Sequence, residues 1–287
     1  MNYRFAIICF ALTAGVARAQ SPTAADIIAR INKESRVSLP ERTVDTFKAG
    51  DPQTRVKGIA VTMMATLDVL KEASKRGLNL VITHEPTFYS HRDTVGVLES
   101  EHDSVYLEKQ KFIADHGIVV WRFHDAPHSM KPDMITAGMI KALGWDSRPQ
   151  DSTHTVFDIP PTTVGHLVDL LEQRLGAHAI RIAGNRSARV KRVALTEGFP
   201  GFVANRHAIQ KNIDVLVMGE DHEWEAIEYA KDAISEGRLK TLIVLGHIPS
   251  EQEGMHEVSR WISSFVKDVP VQFVPTPDPF GTPIFKR

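Results

Sequence analysis

Apolar residues recur along this chain in two alternating rhythms. Short continuous runs rich in Val, Ile and Leu occupy residues 56–62, 78–83, 118–123, 190–196, 213–218 and 240–245. Runs of that length and β-branched content read as strands buried on both faces, as in a parallel sheet covered by helices. Between them apolar positions fall at helical spacing: Ile27, Ile28 and Ile31 within residues 24–33, then Leu67, Leu70 and Ala73 after Thr66. Further helices are predicted over 104–114, 133–143, 163–175 and 223–235, the last expected to bury Trp224, Ile227, Ala230 and Ile234. Thr66 and Asp133 stand where side chains cap a helix, and Gly77, Gly144 and Gly176 stand where a left-handed residue ends one. Ser250 with Glu253 gives a capping-box signature ahead of Met255, Val258, Trp261, Ile262, Phe265 and Val266. A strand over 271–274 closes the pattern. Strand, helix and strand over 56–83 form a βαβ unit with parallel strands. The polar stretch 145–153 marks the passage into a second domain that opens with a strand at 154–159. The fold class is therefore α/β, in two domains, as 287 residues allow.

The first nineteen residues break this pattern. Arg4, an apolar run over 5–16 and Ala17-Arg18-Ala19 read as a signal peptide cleaved near Ala19, which makes the mature chain periplasmic or secreted. The run is too short for a permanent span and no later segment is longer, so no stable membrane insertion is expected. Cys9 is the only cysteine and leaves with this segment, so the mature protein has neither a disulfide nor a thiolate ligand. Any metal must be held by His, Asp and Glu. Loss of Arg4 and Arg18 moves the net charge from −1 to −3, which offers no basic field for nucleic acid.

Candidate chemistry gathers at strand ends, where loops surround the crevice of an α/β sheet. One strand ends in Thr83-His84-Glu85-Pro86, and Pro86 cannot extend a ladder. A second ends in Phe123-His124-Asp125-Ala126-Pro127-His128, and a third in Gly246-His247-Ile248-Pro249-Ser250-Glu251. A lone histidine at a strand end more often makes a structural hydrogen bond, but three recurrences suit a divalent metal held from rigid elements. Asp125 and Glu251 are the candidates to bridge two ions. The zinc-protease reading of His84-Glu85 fails, because position 88 is Phe and Pro86 spoils the helix that motif requires. The loop with His91, Arg92 and Asp93 either lines the mouth of the cleft or is simply solvated. Residues 197–201, EGFPG, either bring backbone close to a ligand or turn a plain corner, the corner being the simpler reading.

Taken in order, NLVITHEPTF, RFHDAPH, VALTEGFPGF, DVLVMGEDHEWEAIEYA and LGHIPSEQEG resemble the Nif-three-like dinuclear-metal-centre family, some members of which are labelled GTP cyclohydrolase I type 2 homologue. The resemblance covers residues 56–273 and is most specific at THEP and GHxxxE. It implies a metal-binding α/β domain over 20–149 plus 240–287, a second α/β domain inserted over 150–239, and a homo-oligomer, a hexameric ring with a metal pair in a cleft. Carried over by position, the family's paired histidines fall on His84 and Glu85, its aspartate on Asp125, and its GH-to-E ligands on His247 and Glu251. Glu85 departs from the family's second histidine. It adds negative charge and hard oxygen, which favours Mn or Fe over Zn, and leaves His124 or His128 to supply the missing imidazole.

These readings converge on an exported hydrolase that uses two divalent metal ions (Mn, Fe or Zn) to activate water against a small-molecule substrate, with His128 or His91 moving protons. Export argues against a nucleotide cyclohydrolase. The alternative is a non-catalytic metal-binding ring, a scaffold or store, which a closed ligand shell would mark.

Overall fold

The computed structural model describes residues 21–146 and 155–280, so the segment read as a signal peptide, with Cys9, and residues 147–154, most of the polar passage together with His154, lie outside the described residues. After α1 (Ala24–Ser35), capped reciprocally by Thr23 and Asp26, the chain forms β1 (Phe47–Ala49), β2 (Ile59–Thr62), α2 (Leu67–Lys75) and β3 (Leu80–Thr83). It continues through α3 (Gly96–Ser100), α4 (Ser104–Asp115), β4 (Val119–Arg122), α5 (Asp125–Ser129) and α6 (Met134–Leu143). Next come β5 (Val156–Thr163), α7 (Val164–Leu175), β6 (Arg181–Gly184), β7 (Arg189–Thr196), α8 (Gly201–Ile209) and β8 (Val215–Met218). A π-helical turn (Glu223–Ile227) leads into α9 (Glu228–Ser235), followed by β9 (Thr241–Val244), α10 (His247–Phe265) and β10 (Val271–Phe273).

Two five-stranded sheets result, ordered β1-β4-β3-β2-β10 and β5-β7-β8-β9-β6. In the first, β10, β2, β3 and β4 are parallel and every residue of β2, β3 and β4 is buried, as the continuous apolar runs require. In the second, β7, β8 and β9 are parallel between antiparallel edges. All strands of the second sheet lie in sequence between β4 and β10, so it is inserted into the first. The strands missed by the apolar pattern, β1 and β6, are short edges whose residues are only partly buried or exposed.

Three expectations are corrected. The chain does not return to the first sheet at residue 240, because β9 pairs with β8 and β6; it crosses back after β9, at Gly246. The last helix starts at His247, not at a capping box. Ser250 Oγ instead donates to the His247 carbonyl at 2.7 Å and accepts from Gly198 N–H at 3.0 Å. Trp224, expected inside, is 73% exposed, because the wider π turn rotates the apolar face so that Ala226, Ala230 and Ala233 are the residues buried.

Helices α6 and α10 join the two layers. Ile135 of α6 belongs to the first sheet's core with Ile248, Met255, Val258 and Ile262 of α10, whereas Met139, Ile140 and Leu143 belong to the second. The two helices cross in backbone contact, since a Cβ on Gly138 would strike Gly254 and one on Gly254 would strike Ile135. This crossing sets α10, and with it His247 and Glu251, over the carboxyl ends of β3 and β4.

Candidate metal centre

Parallel pairing delivers the first donors. Beyond β3, His84 N–H donates to the Thr62 carbonyl at 3.2 Å and Glu85 N–H to the Met63 carbonyl at 2.9 Å, so the backbone of both residues is tied to the segment leaving β2. Beyond β4, His124 precedes the short helix α5, which carries His128 on its far turn. Asp45, a residue without any sequence signal, holds that turn: its oxygens accept from the backbone N–H groups of His124, Asp125 and Ala126 at 2.8, 2.8 and 2.9 Å. From α10, His247 and Glu251 lie four residues apart on one face, with His247 Nε2 3.1 Å from Glu251 Oε2.

Each of four imidazoles is oriented through Nδ1. That atom faces the Phe123 carbonyl in His84 (3.1 Å), Asp125 Oδ1 in His124 (3.0 Å), Asp133 Oδ2 in His128 (2.9 Å) and Glu220 Oε1 in His247 (2.9 Å). A carbonyl or carboxylate only accepts, so Nδ1 carries the proton and Nε2 is the atom left for a cation, the arrangement that metal-binding histidines use. The Nε2 atoms point inward: Glu85 Oε1 is 3.5 Å from those of both His124 and His247, and His84 Nε2 is 3.5 Å from Glu251 Oε2. The His84 ring stacks on His124 at 4.6 Å and meets His128 edge-on at 5.0 Å.

Two overlapping donor groups share His84: His84, His124 and His128, and His84, Glu85 and Glu251. Within them His84 Nε2 and Glu251 Oε2 are buried without a hydrogen-bond partner among the described residues. Buried polar atoms are rarely left so, and two lone-pair acceptors facing one another at 3.5 Å suit a cation between them. The donor set of nitrogen and carboxylate oxygen, without sulfur, fits Zn, Mn or Fe.

Asp125, expected to bridge, does not join the cluster. Its Oδ2 accepts from Thr43 Oγ1 at 2.8 Å and Val44 N–H at 3.1 Å while Oδ1 holds His124, so the carboxylate positions a ring. His128, offered both as a proton mover and, with His124, as a source of the missing imidazole, stands among the donors, as His124 does. His91 is exposed on the cleft wall, its ring 5.7 Å from His124. Asp93, in a loop read as either cleft mouth or solvated, has a buried side chain: it accepts from the Thr87 and Phe88 N–H groups at 2.6 and 2.8 Å and pairs with Lys48 at 3.4 Å.

Titration follows from these contacts. Burial, reinforced by the neighbouring His124 and His128, holds His84 well below the ordinary histidine value. Burial opposes charge on His247 too, yet Glu220, Glu251 and Glu85 push it up to about 12. Burial likewise opposes charge on His128, and Asp133 raises it to about 9. Burial would raise Glu85, but His124 and His247 hold its carboxyl far below the usual range. A proton on His247 thus does in the metal-free chain what a cation would do among the same carboxylates.

The second sheet closes the site. Gly198, at φ 61°, lies so near α10 that a Cβ would collide with the Glu251 carboxylate, so residues 197–201 make a close approach and not a plain corner. Glu197, held by Thr136 Oγ1, and Phe199 form a wall of a cleft of about 450 Å³ whose floor carries Glu85, His124, His128, His247 and Glu251. Burial raises the Glu197 carboxyl above its ordinary value. Sequence reading missed Asp45, Arg122, Glu197 and Glu220; Glu197 and Glu220 had a signal, their place just beyond predicted strands.

Comparison with known proteins agrees with this architecture. The family model Duf34/NIF3 (NGG1p interacting factor 3) matches residues 23–279. A protein of Clostridium perfringens named GTP cyclohydrolase 1 type 2 homolog is 23% identical over 259 residues, covering 87% of this chain and 94% of that one. Its namesake from Chlamydia pneumoniae is 25% identical over 244 residues, covering 82% and 90%. Among solved structures, a Bacillus cereus protein related to NIF3 superposes with a TM-score of 0.69 at 15% identity, covering 91% of this chain and 99% of that one. A hypothetical protein of Staphylococcus aureus superposes with a TM-score of 0.68 at 16% identity over the same shares. Such identities speak for the fold alone, but the family model spans nearly the whole described chain, and the protein belongs to the Duf34/NIF3 family.

Proposed function

We propose that the protein is a metal-dependent hydrolase of a small-molecule substrate, exported after loss of its first nineteen residues and assembled as a hexameric ring. The observation that carries the catalytic part is convergence. Imidazole nitrogens of His84, His124, His128 and His247 and carboxylates of Glu85 and Glu251 meet at the floor of an open cleft. His84, His124, His128, His247, Glu85 and Glu251 would hold the divalent ions, His84 serving one of them through Nε2, and the ions would acidify water and stabilise an oxyanion. The chain's own residues do the rest. Asp125, Asp133 and Glu220 orient the rings, Gly198 leaves room beside Glu251, and His91 on the wall takes up and releases protons at Nε2 or Nδ1. The open wall, with Phe199 and Pro200, favours catalysis over a sealed metal store. The ring is supported by the resemblance to the family; sizing by light scattering reads it directly.

The test is elemental analysis of the purified protein and of His247→Ala, followed by assay of both on chromogenic phosphate and carboxylate esters before and after chelation. The expected result is stoichiometric Mn, Fe or Zn in the wild type, lost in the variant, with hydrolysis that chelation abolishes. A metal-free wild type overturns the centre. Metal without hydrolysis across both ester classes overturns the hydrolase in favour of a store or scaffold.

A further inference from the structure

The Glu85 carboxylate is divided between two environments. Oε1 faces the imidazoles, 3.5 Å from both His124 and His247. Oε2 faces Nη2 of Arg122 at 3.3 Å. Arg122 is the last residue of β4, in register with Thr83 of β3, and its side chain is fully buried. Its Nε donates to the His84 carbonyl at 2.9 Å and its Nη1 to the His91 carbonyl. On the same side Asp93 Oδ2 lies 3.8 Å from Nη1, and Asp93 is itself fixed by two backbone N–H groups and by Lys48.

A guanidinium out of water is costly unless its donors are met. Here its partners are the backbone and side chain of the donor-bearing segment, so the fork that satisfies the arginine also fixes Glu85. A free carboxylate can bind a cation through one oxygen, through two, or bridge a pair. With Oε2 turned toward Arg122, Oε1 is the oxygen presented to the imidazoles.

Resting on the metal reading above, we propose that Arg122 is the positioning residue of this centre: it fixes Glu85 as a one-oxygen ligand and offsets its added charge. Asp93 steadies the guanidinium from the other side. The pair Glu85–Arg122 thus offers a cation a carboxylate oxygen in one defined place, at little net charge.

The test is a double-mutant cycle read as metal affinity. Arg122→Met, Glu85→His and the double variant are titrated with Mn²⁺ and Zn²⁺ against a chromogenic chelator, and each metal-free protein is checked for folding by thermal melt. Removing a group that orients a ligand commonly weakens metal binding about 10- to 100-fold. That loss is expected for Arg122→Met when position 85 is Glu. No loss is expected when it is His, since no carboxylate then needs fixing. The visible absorption of the Co²⁺-loaded protein should change with Arg122→Met in the Glu85 chain, as the freed oxygen alters coordination, and not in the Glu85→His chain. Equal losses in both backgrounds would make Arg122 a structural residue and overturn the proposal, as would an unchanged affinity in the Glu85 chain. Should Arg122→Met fail to fold, Arg122→Lys, which keeps charge but not the fork, replaces it under the same criteria. A wild type that binds neither ion removes the metal reading itself, which separates the two failures.

Discussion

At the scale of single residues, the centre is made by what stands behind the histidines. Glu220 and Asp133 touch no other donor of the cluster, yet each fixes a ring through Nδ1. Glu220→Ala is therefore expected to weaken metal binding about 10- to 100-fold while the metal-free protein still folds, its melt lowered by loss of the pairing with protonated His247; chelator competition reads the affinity. The same carboxylates predict how binding responds to pH. His247, raised to about 12, and His128, raised to about 9, hold protons near neutrality that a cation must displace. Metal uptake is thus expected to release protons and to weaken as pH falls. Calorimetry in two buffers of different ionisation enthalpy checks this, and identical heats would refute it. Lys109 gives a separate pH effect. It is buried, donates to the Thr87 carbonyl at 2.6 Å, and burial lowers it to about 8. An unfolded lysine keeps its proton to about 10.4, so between these values the unfolded chain binds more protons. The Lys109 contribution to stability climbs with pH there by at most about 3 kcal/mol, against an opposite slope from His247, whose raised value makes the folded chain hold its extra proton over the same range. The Lys109 share is therefore read as a difference: denaturant midpoints of Lys109→Met should fall more steeply with pH across that range than those of the wild type.

At the scale of elements, the site depends on a helix crossing. Alanine is the better helix former than glycine by about 1 kcal/mol, so an exposed Gly138→Ala would stabilise α6. Here the added methyl meets the backbone of α10 at Glu253 and Gly254. Forcing atoms into such a contact costs about 1 to 3 kcal/mol, and the clash outweighs the propensity. Gly138→Ala is expected to lower the melting temperature, and also metal affinity, because α10 carries His247 and Glu251. A thermal melt with and without metal reads both; a raised melting temperature would show that the crossing can relax. The strands behave differently. The runs over 78–83 and 118–123 announced β3 and β4 because strands buried on both faces must be apolar throughout. The π turn at Glu223–Ile227 could not be read, since its apolar residues also fit an ordinary helix and only the added width turned Trp224 outward.

At the scale of the molecule, the centre lies between two sheets and draws on both. His84, Glu85, His124 and His128 come from the first; Gly198, Glu220 and the start of α10 follow strands of the second. Binding energy at such a junction stabilises both layers. Unfolding is expected as one cooperative transition whose midpoint falls on chelation, followed by far-ultraviolet circular dichroism. Two transitions, only one sensitive to chelation, would show that the layers are uncoupled. The sequence by itself determined the α/β class and the strand ends that carry His84, Glu85, His124, His247 and Glu251, because burial on two faces and the donor chemistry of imidazole and carboxylate are written locally. Tertiary structure alone decided that Asp125 orients a ring, that His124 and His128 both face His84, that Gly198 yields space to Glu251, and that Arg122 faces Glu85. Each of these depends on which atoms lie across a gap between distant segments, and a distance across space has no counterpart in the spacing of residues along a chain.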